Sequence, residues 1–379
     1  MRIILSVLCL INFLNNIYGQ ENSISIDRLK LYRLGQVFFD NNLYGPTRYA
    51  QTKFIHEVHP ASVDDFSMLK DDAGAMTAIS GIRLDLPSGE NDLLAFITLK
   101  YPDPSSTPAI LELGSYYYNQ RWFKKSVDIY SMTKLDNLPE FDMSESSFKK
   151  GYSHFAIKEF KESKKDLART KDIKNIFYYP SNYYHGLCDY FTGNYTGAVA
   201  SFERVKESDN YKSFVPYYIT QIYFAQNQSE KVISFGEEAL NDQNLRNRKE
   251  IRQLIGQSYF KGEFYEKALP HLEYYEANTE KLTIEEFYQL GFAQYQQKKY
   301  KDAIKNLREI HLLESKLGQL VNYYLADSYY KTADLVSARA AFKKVSQMTY
   351  EKKMQEEATF NYGKLSAESG FEREAINTL

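Results

Sequence analysis

The chain has 379 residues, of which 43% are hydrophobic and 15% aromatic; this gives ample apolar surface to bury and excludes a low-complexity disordered polymer. Its 47 basic and 49 acidic residues leave a formal charge of -2, so no cationic field is present to hold a polyphosphate, and nucleic acid is not expected as the main partner.

The first twenty residues read as an address. Arg2 precedes the apolar run IILSVLCL, then Ile11, Phe13 and Leu14, and the stretch ends in Ile17, Tyr18 and the small Gly19 before Gln20. This is the pattern of a secretory signal peptide over residues 1–19, followed by a lead-in over residues 20–27. The apolar run falls short of the roughly 20 residues of a membrane-spanning helix; a buried or membrane-anchoring first helix is the competing reading. Cys9 would leave with the signal, and Leu8 before it lacks the small side chain of a lipoprotein cleavage site. Cys188 is then alone in the mature chain, so no internal disulfide is expected. Between Leu187 and Asp189 on a predicted helix, it reads as a small packed residue.

From residue 28 to residue 379 one pattern recurs. It is clearest from Ile284 to Leu317, where two short amphipathic helices flank a polar turn at Gln296 to Lys299. Gly291 and Ala303 are small where the two helices would cross, while Tyr300 and Leu307 fill the space beside the crossing. With Gly291 as position eight, the equivalents are Gly35, Ala78, Gly114, Gly151, Gly186, Thr220, Gly256, Ala326 and Gly363. Twelve residues further on, mostly small residues stand at Thr47, Glu90, Ser126, Ser163, Ala198, Val232, Ala268, Ala303, Ala338 and Ala375. A glycine inside a helix costs about 1 kcal/mol against alanine, so its recurrence implies close helix approach.

The units begin near 28, 71, 107, 144, 179, 213, 249, 284, 319 and 356, about ten in all. The long first spacing contains HPASVDDFSMLKDD and predicts an extended loop or a small extra helix; in the second unit Pro87 and Gly89 lengthen the inter-helix turn. The sixth unit keeps the register but has Thr220 and Ser229 at the glycine and turn-aromatic positions. The last, ending at Leu379, reads as incomplete, which suggests a fragment of a longer protein.

The period and the Leu290, Gly291, Tyr300 and Ala303 pattern resemble the tetratricopeptide repeat, a helix-turn-helix unit of about 34 residues. The resemblance implies an all-α, right-handed superhelical solenoid of helix pairs, a non-enzymatic scaffold whose inner wall binds polypeptides. Carried onto this chain residue by residue, the groove positions give Tyr118, Phe155, Tyr183, Tyr190, Tyr217, Phe224, Phe260, Tyr288, Phe292, Tyr295, Tyr323 and Tyr330 as candidate partner-binding residues. Large faces and hydroxyls suit a peptide, although some of these rings would pack on the next unit instead. The lysine and asparagine that clamp a free carboxylate in this family are missing from positions five and nine. The whole resembles exported tetratricopeptide proteins of Bacteroidetes-type bacteria, which implies a periplasmic or outer-membrane-associated protein. Binding of peptidoglycan or another cell-wall glycan is the alternative, and RNA recognition by a pentatricopeptide-like array is a remote third.

Other chemistry is thin. His56 and His59 in HEVH, with Asp64, Asp65, Asp71 and Asp72 nearby, have spacing for a metal but read as solvated loop residues. His154, His185, His271 and His311 fall at different repeat positions, and the sequence holds no glycine-rich phosphate loop or HExxH; neither a cofactor, a metal nor catalysis is expected. The acceptor patterns at Asn194 and Asn227 carry no weight in a bacterial host.

Overall fold

The structure, a computed structural model, describes residues 23–57 and 63–378, which form twenty α-helices and two short 3-10 helices with no strand among them. The expected signal peptide, residues 20–22 of the lead-in, His59 and Leu379 lie outside the described residues.

The chain divides into two compact units between Gly193 and Asn194. The first contains α1 (Ser23–Asp40), α2 (Tyr44–Glu57), α3 (Val63–Arg83), α4 (Gly89–Lys100), α5 (Thr107–Asn119), α6 (Phe123–Tyr130), α7 (Glu140–Ala156), α8 (Phe160–Ala168) and α9 (Tyr178–Phe191), with 3-10 helices at Pro104–Ser106 and Leu135–Asn137. The second contains α10 (Tyr195–Glu203), α11 (Val215–Ala225), α12 (Ser229–Ala239), α13 (Arg248–Lys261), α14 (Tyr265–Ala277), α15 (Ile284–Gln296), α16 (Tyr300–Arg308), α17 (Lys316–Lys331), α18 (Leu335–Ser346), α19 (Lys352–Glu368) and α20 (Glu372–Thr378). The architecture is all-α, with helices packed pairwise in tetratricopeptide-like repeats. Within each unit a helix lies against those one or two places away along the chain.

The turns share one backbone device. Asn42, Asp85, Arg121, Lys158, Gly193, Asn227, Glu263, Lys298, Ala333 and Gly370 all take a positive φ, from 55° to 79°, and all are exposed. This left-handed residue closes the preceding helix: Lys298 N–H donates to Tyr295 C=O and Lys299 N–H to Gln294 C=O, each at 2.9 Å, and Glu263 and Phe264 repeat the bonds onto Phe260 and Tyr259. Beyond the turn the chain starts a new helix three residues after the old one ends, as at 297–299.

The helix crossings explain the recurring glycine. A methyl group added to Gly291 would stand 2.8 Å from Leu307, one on Gly151 2.8 Å from Leu167, one on Gly256 2.9 Å from Leu272, and one on Gly114 2.8 Å from the Tyr130 ring. In each case the obstructing residue lies sixteen positions later, so the glycine seats a large side chain of the second helix. Ala303 is wholly buried, but Leu307 is what touches Gly291. The core is accordingly a series of small clusters, such as Ala303, Leu307, Ile310, Val321 and Leu325.

Asparagines clip one repeat to the next. Asn182 Nδ2 donates to the carbonyls of Lys171 (2.6 Å) and Tyr178 (2.8 Å), and Asn322 Nδ2 does the same to His311 (2.8 Å) and Gly318 (2.7 Å). Each ties the tail of the preceding hairpin to the first turn of a new helix.

One expectation is corrected. The sequence predicts an extended loop or a small extra helix over residues 59–72; residues 58–62 lie outside the described residues, and from Val63 the chain is α3, unbroken to Arg83. The reason is spacing: Phe66 and Leu69 fall on the face that packs against Tyr32, Phe54, Ala73 and Met76. The turn after α3 is longer than the others, at residues 84–88, and Gly89 comes close to the Gly81 backbone there.

Candidate functional site

Two aromatic ladders, one in each unit, are built from the first helices of successive hairpins together with rings at the starts of the second helices. In the first unit the centre is Tyr152 on α7. Its ring lies 4.8 Å from Tyr184 on α9 at 88°, 5.6 Å from Tyr118 on α5 and 5.7 Å from Phe123 on α6. Phe155, one turn along α7, meets Tyr184 at 5.1 Å and Phe160 at 5.7 Å, and Phe160 stacks on Phe191 at 5.1 Å and 19°. Phe191 ends the ladder with 52% of its surface exposed.

In the second unit the same register position is Phe292 on α15. Its ring is 4.7 Å from Tyr324 on α17 at 69°, 5.2 Å from Tyr265, 5.6 Å from Tyr288 and 5.9 Å from Phe260. Tyr295 lies 4.8 Å from Tyr324. Offset and edge-on geometries of this kind add about 0.5–1.5 kcal/mol per pair beyond area burial, so both ladders stiffen the joints between hairpins.

This arrangement decides what the sequence-derived residues can do. Tyr118, Phe155, Phe260, Tyr288, Phe292 and Tyr295 are brought together with one another's neighbours, and their faces are largely taken up by those rings. Phe292 and Tyr183 are buried, while Tyr190 is half-buried against Phe191 at 5.3 Å. Several of the tyrosine hydroxyls are engaged too. Tyr295 donates to Asp327 and Tyr323 to Glu357, each at 2.8 Å, and Tyr217 accepts from Gln221 at 2.6 Å. Burial first, then the facing Asp327 and Glu357, raise the Tyr295 and Tyr323 phenols; burial and Tyr324 do so for Tyr288. Phe224, 38% exposed, and Tyr330, 37% exposed with Lys364 Nζ 5.9 Å from its ring, keep accessible faces.

Sequence reasoning missed Tyr152, Tyr184 and Tyr324, the residues around which the ladders turn. The Tyr183–Tyr184 and Tyr323–Tyr324 doublets were the available signal. It also missed the exposed rings at turns and helix starts: Trp122 (44%), Phe141 (52%) and Phe264 (58%).

The polar groups of a type that carries chemistry are dispersed. His154 lies between two carboxylates, Nδ1 2.7 Å from Glu159 and Nε2 3.5 Å from Asp166, while His185 Nδ1 is 3.4 Å from Asp189 and His271 Nε2 3.0 Å from Glu237. Burial lowers the His271 pKa, against the pull of Glu237. The Cys188 thiol, fully buried with its Sγ 3.2 Å from Ser163 Oγ, is pushed up to about 11 by burial and is a poor nucleophile at neutral pH. His56 sits in the last turn of α2, and no group of three potential metal ligands occurs among the described residues. No helix among them is long and apolar enough to cross a membrane.

No protein-family model and no curated protein matches the chain. Among solved structures it is similar to the C-terminal part of a TPR repeat-containing protein from Cytophaga hutchinsonii, with 14% identity, 64% of this chain and 97% of that one covered, and a TM-score of 0.46. A tetratricopeptide repeat protein from Parabacteroides merdae is similar over 79% of this chain and 99% of that one, at 13% identity and a TM-score of 0.39.

Proposed function

We propose that the chain is a tetratricopeptide-type scaffold that holds polypeptide partners and performs no catalysis of its own, exported by its first nineteen residues to the periplasm or inner face of the outer membrane of a Bacteroidetes-type bacterium. The observation that carries the binding reading is a set of accessible aromatic faces, above all Phe191, where the first ladder ends, and Tyr330 on α17. Rigidly held rings lose little entropy on contact, which suits them as anchors for a partner. The export reading rests on Arg2, the apolar run after it and the small residue Gly19.

A chain of residues 20–379 used as bait on an envelope extract tests the scaffold reading. A specific partner is expected, and Phe191→Ser combined with Tyr330→Ser is expected to cut its retention about tenfold, as loss of two aromatic anchors would. Retention that the double variant leaves unchanged would remove these two rings from the binding surface. Co-sedimentation with purified sacculi in the absence of protein partners would move the reading to a glycan binder.

A further inference from the structure

A cleft of about 500 Å³ opens in the first unit among α1, α3, α5 and α7, a size suited to burying a side chain and its flanking backbone. Its apolar wall is made by Phe39, Ile79 and Leu111. It adjoins the aromatic ladder, because Lys149 Nζ lies 5.9 Å from the Tyr118 ring centre and also donates to Ser115 Oγ in the cleft lining at 2.6 Å.

The charge of the cleft is one-sided. Three carboxylates line it, Glu112, Asp142 and Glu145, against the single guanidinium of Arg83. That guanidinium is already engaged: Nε and Nη2 fork onto the two oxygens of Glu112, the latter at 2.6 Å, and Nη1 reaches the Tyr44 hydroxyl at 3.3 Å. Lys149, outside the lining, holds Glu145 at 2.5 Å. Two cations therefore face three carboxylates. The Tyr130 phenol, 1% exposed, also lines the cleft; burial first, then Glu145 and Glu112, push its pKa well above the ordinary value, so both carboxylates act on one point. Asp142 stands exposed on the first turn of α7.

We propose that this cleft receives an arginine or lysine side chain of a polypeptide partner, its aliphatic stem along Phe39, Ile79 and Leu111 and its charged head between Asp142 and Glu145. The proposal deepens the scaffold reading and rests on it. An anion would meet surplus negative charge, and a wholly apolar side chain would desolvate carboxylates without pairing them. A cation on a methylene stem meets both halves of the lining.

The test uses the full mature chain and three probes: a capped alanine pentapeptide with a central arginine, its citrulline twin, and spermidine. Methyl NMR signals of Ile79 and Leu111 report on the cleft directly. The arginine peptide is expected to shift both, with the citrulline twin at least about tenfold weaker and Asp142→Asn and Glu145→Gln each weakening the arginine peptide several-fold, as loss of a close charge does. Asp142 is exposed, so its variant should melt like the parent and keeps the test independent of folding. Equal binding of the citrulline twin, or no shift with millimolar arginine peptide, overturns the proposal. Tighter binding of spermidine than of the peptide reassigns the cleft to free polyamines and overturns it as well. If the bait retains a partner equally well in both charge variants, the cleft assignment falls and the scaffold reading stands. If the bait retains nothing while the arginine peptide still shifts both methyls, the scaffold reading is the one that falls.

Discussion

Gly291 shows how two opposed effects are decided at a single residue. Alanine would gain about 1 kcal/mol of helix propensity there. Its methyl group, however, would lie 2.8 Å from the side chain of Leu307, which is itself fully buried, so the leucine or the helix must shift. Overpacking of a closed core costs about 1–3 kcal/mol, so Gly291→Ala is expected to lose up to about 2 kcal/mol in urea denaturation. A net gain would mean that Leu307 gives way. The glycine was legible in the sequence because its period survives in most repeats. Tyr152 was open to the same register that named Phe292. Tyr184 and Tyr324 were not legible, because in their doublets, Tyr183–Tyr184 and Tyr323–Tyr324, neither residue type says which ring turns towards the neighbouring hairpin. That choice is made by the angle at which the next helix arrives. The same limit explains why the sequence does not show that the Tyr295 and Tyr323 hydroxyls bond Asp327 and Glu357.

Among elements, the turns were the least legible. Glu263, Lys298 and Ala333 carry none of the glycine or asparagine that announces a left-handed residue, yet each adopts it. An L-residue there is disfavoured by roughly 1–2 kcal/mol, and glycine escapes that cost while losing part of the gain to its freer unfolded chain. Glu263→Gly and Ala333→Gly are therefore expected to stabilise by about 0.5–1 kcal/mol, and Gly193→Ala to destabilise by about 1 kcal/mol, read as shifts of the urea midpoint at constant slope. Opposite signs would place the strain elsewhere in the turn. Helix α3 teaches the converse lesson. Its acidic beginning looked like a loop by composition, whereas the spacing of Phe66 and Leu69 had already committed it to the core.

For the molecule as a whole, each unit is held by contacts that reach no further than two helices along the chain. Such a design sums local stabilities instead of sharing one core. Hydrogen exchange should accordingly be graded from helix to helix within each unit, slowest in interior helices such as α7 and α15, and the denaturant slope should fall below that of a two-state protein with this many residues. Uniform protection with a full-sized slope would contradict it. The repeating left-handed turns have a practical consequence here. From Asp85 to Gly370 they set exposed positions at intervals of 34 to 37 residues, and the native thiol of Cys188 is buried and held protonated. In a chain of residues 20–379, which leaves out Cys9, cysteines introduced in pairs at Arg121 and Lys158, or at Glu263 and Lys298, would take spin labels or dyes without competition from Cys188, so the protein carries its own graduated ruler for measuring how its hairpins move in solution.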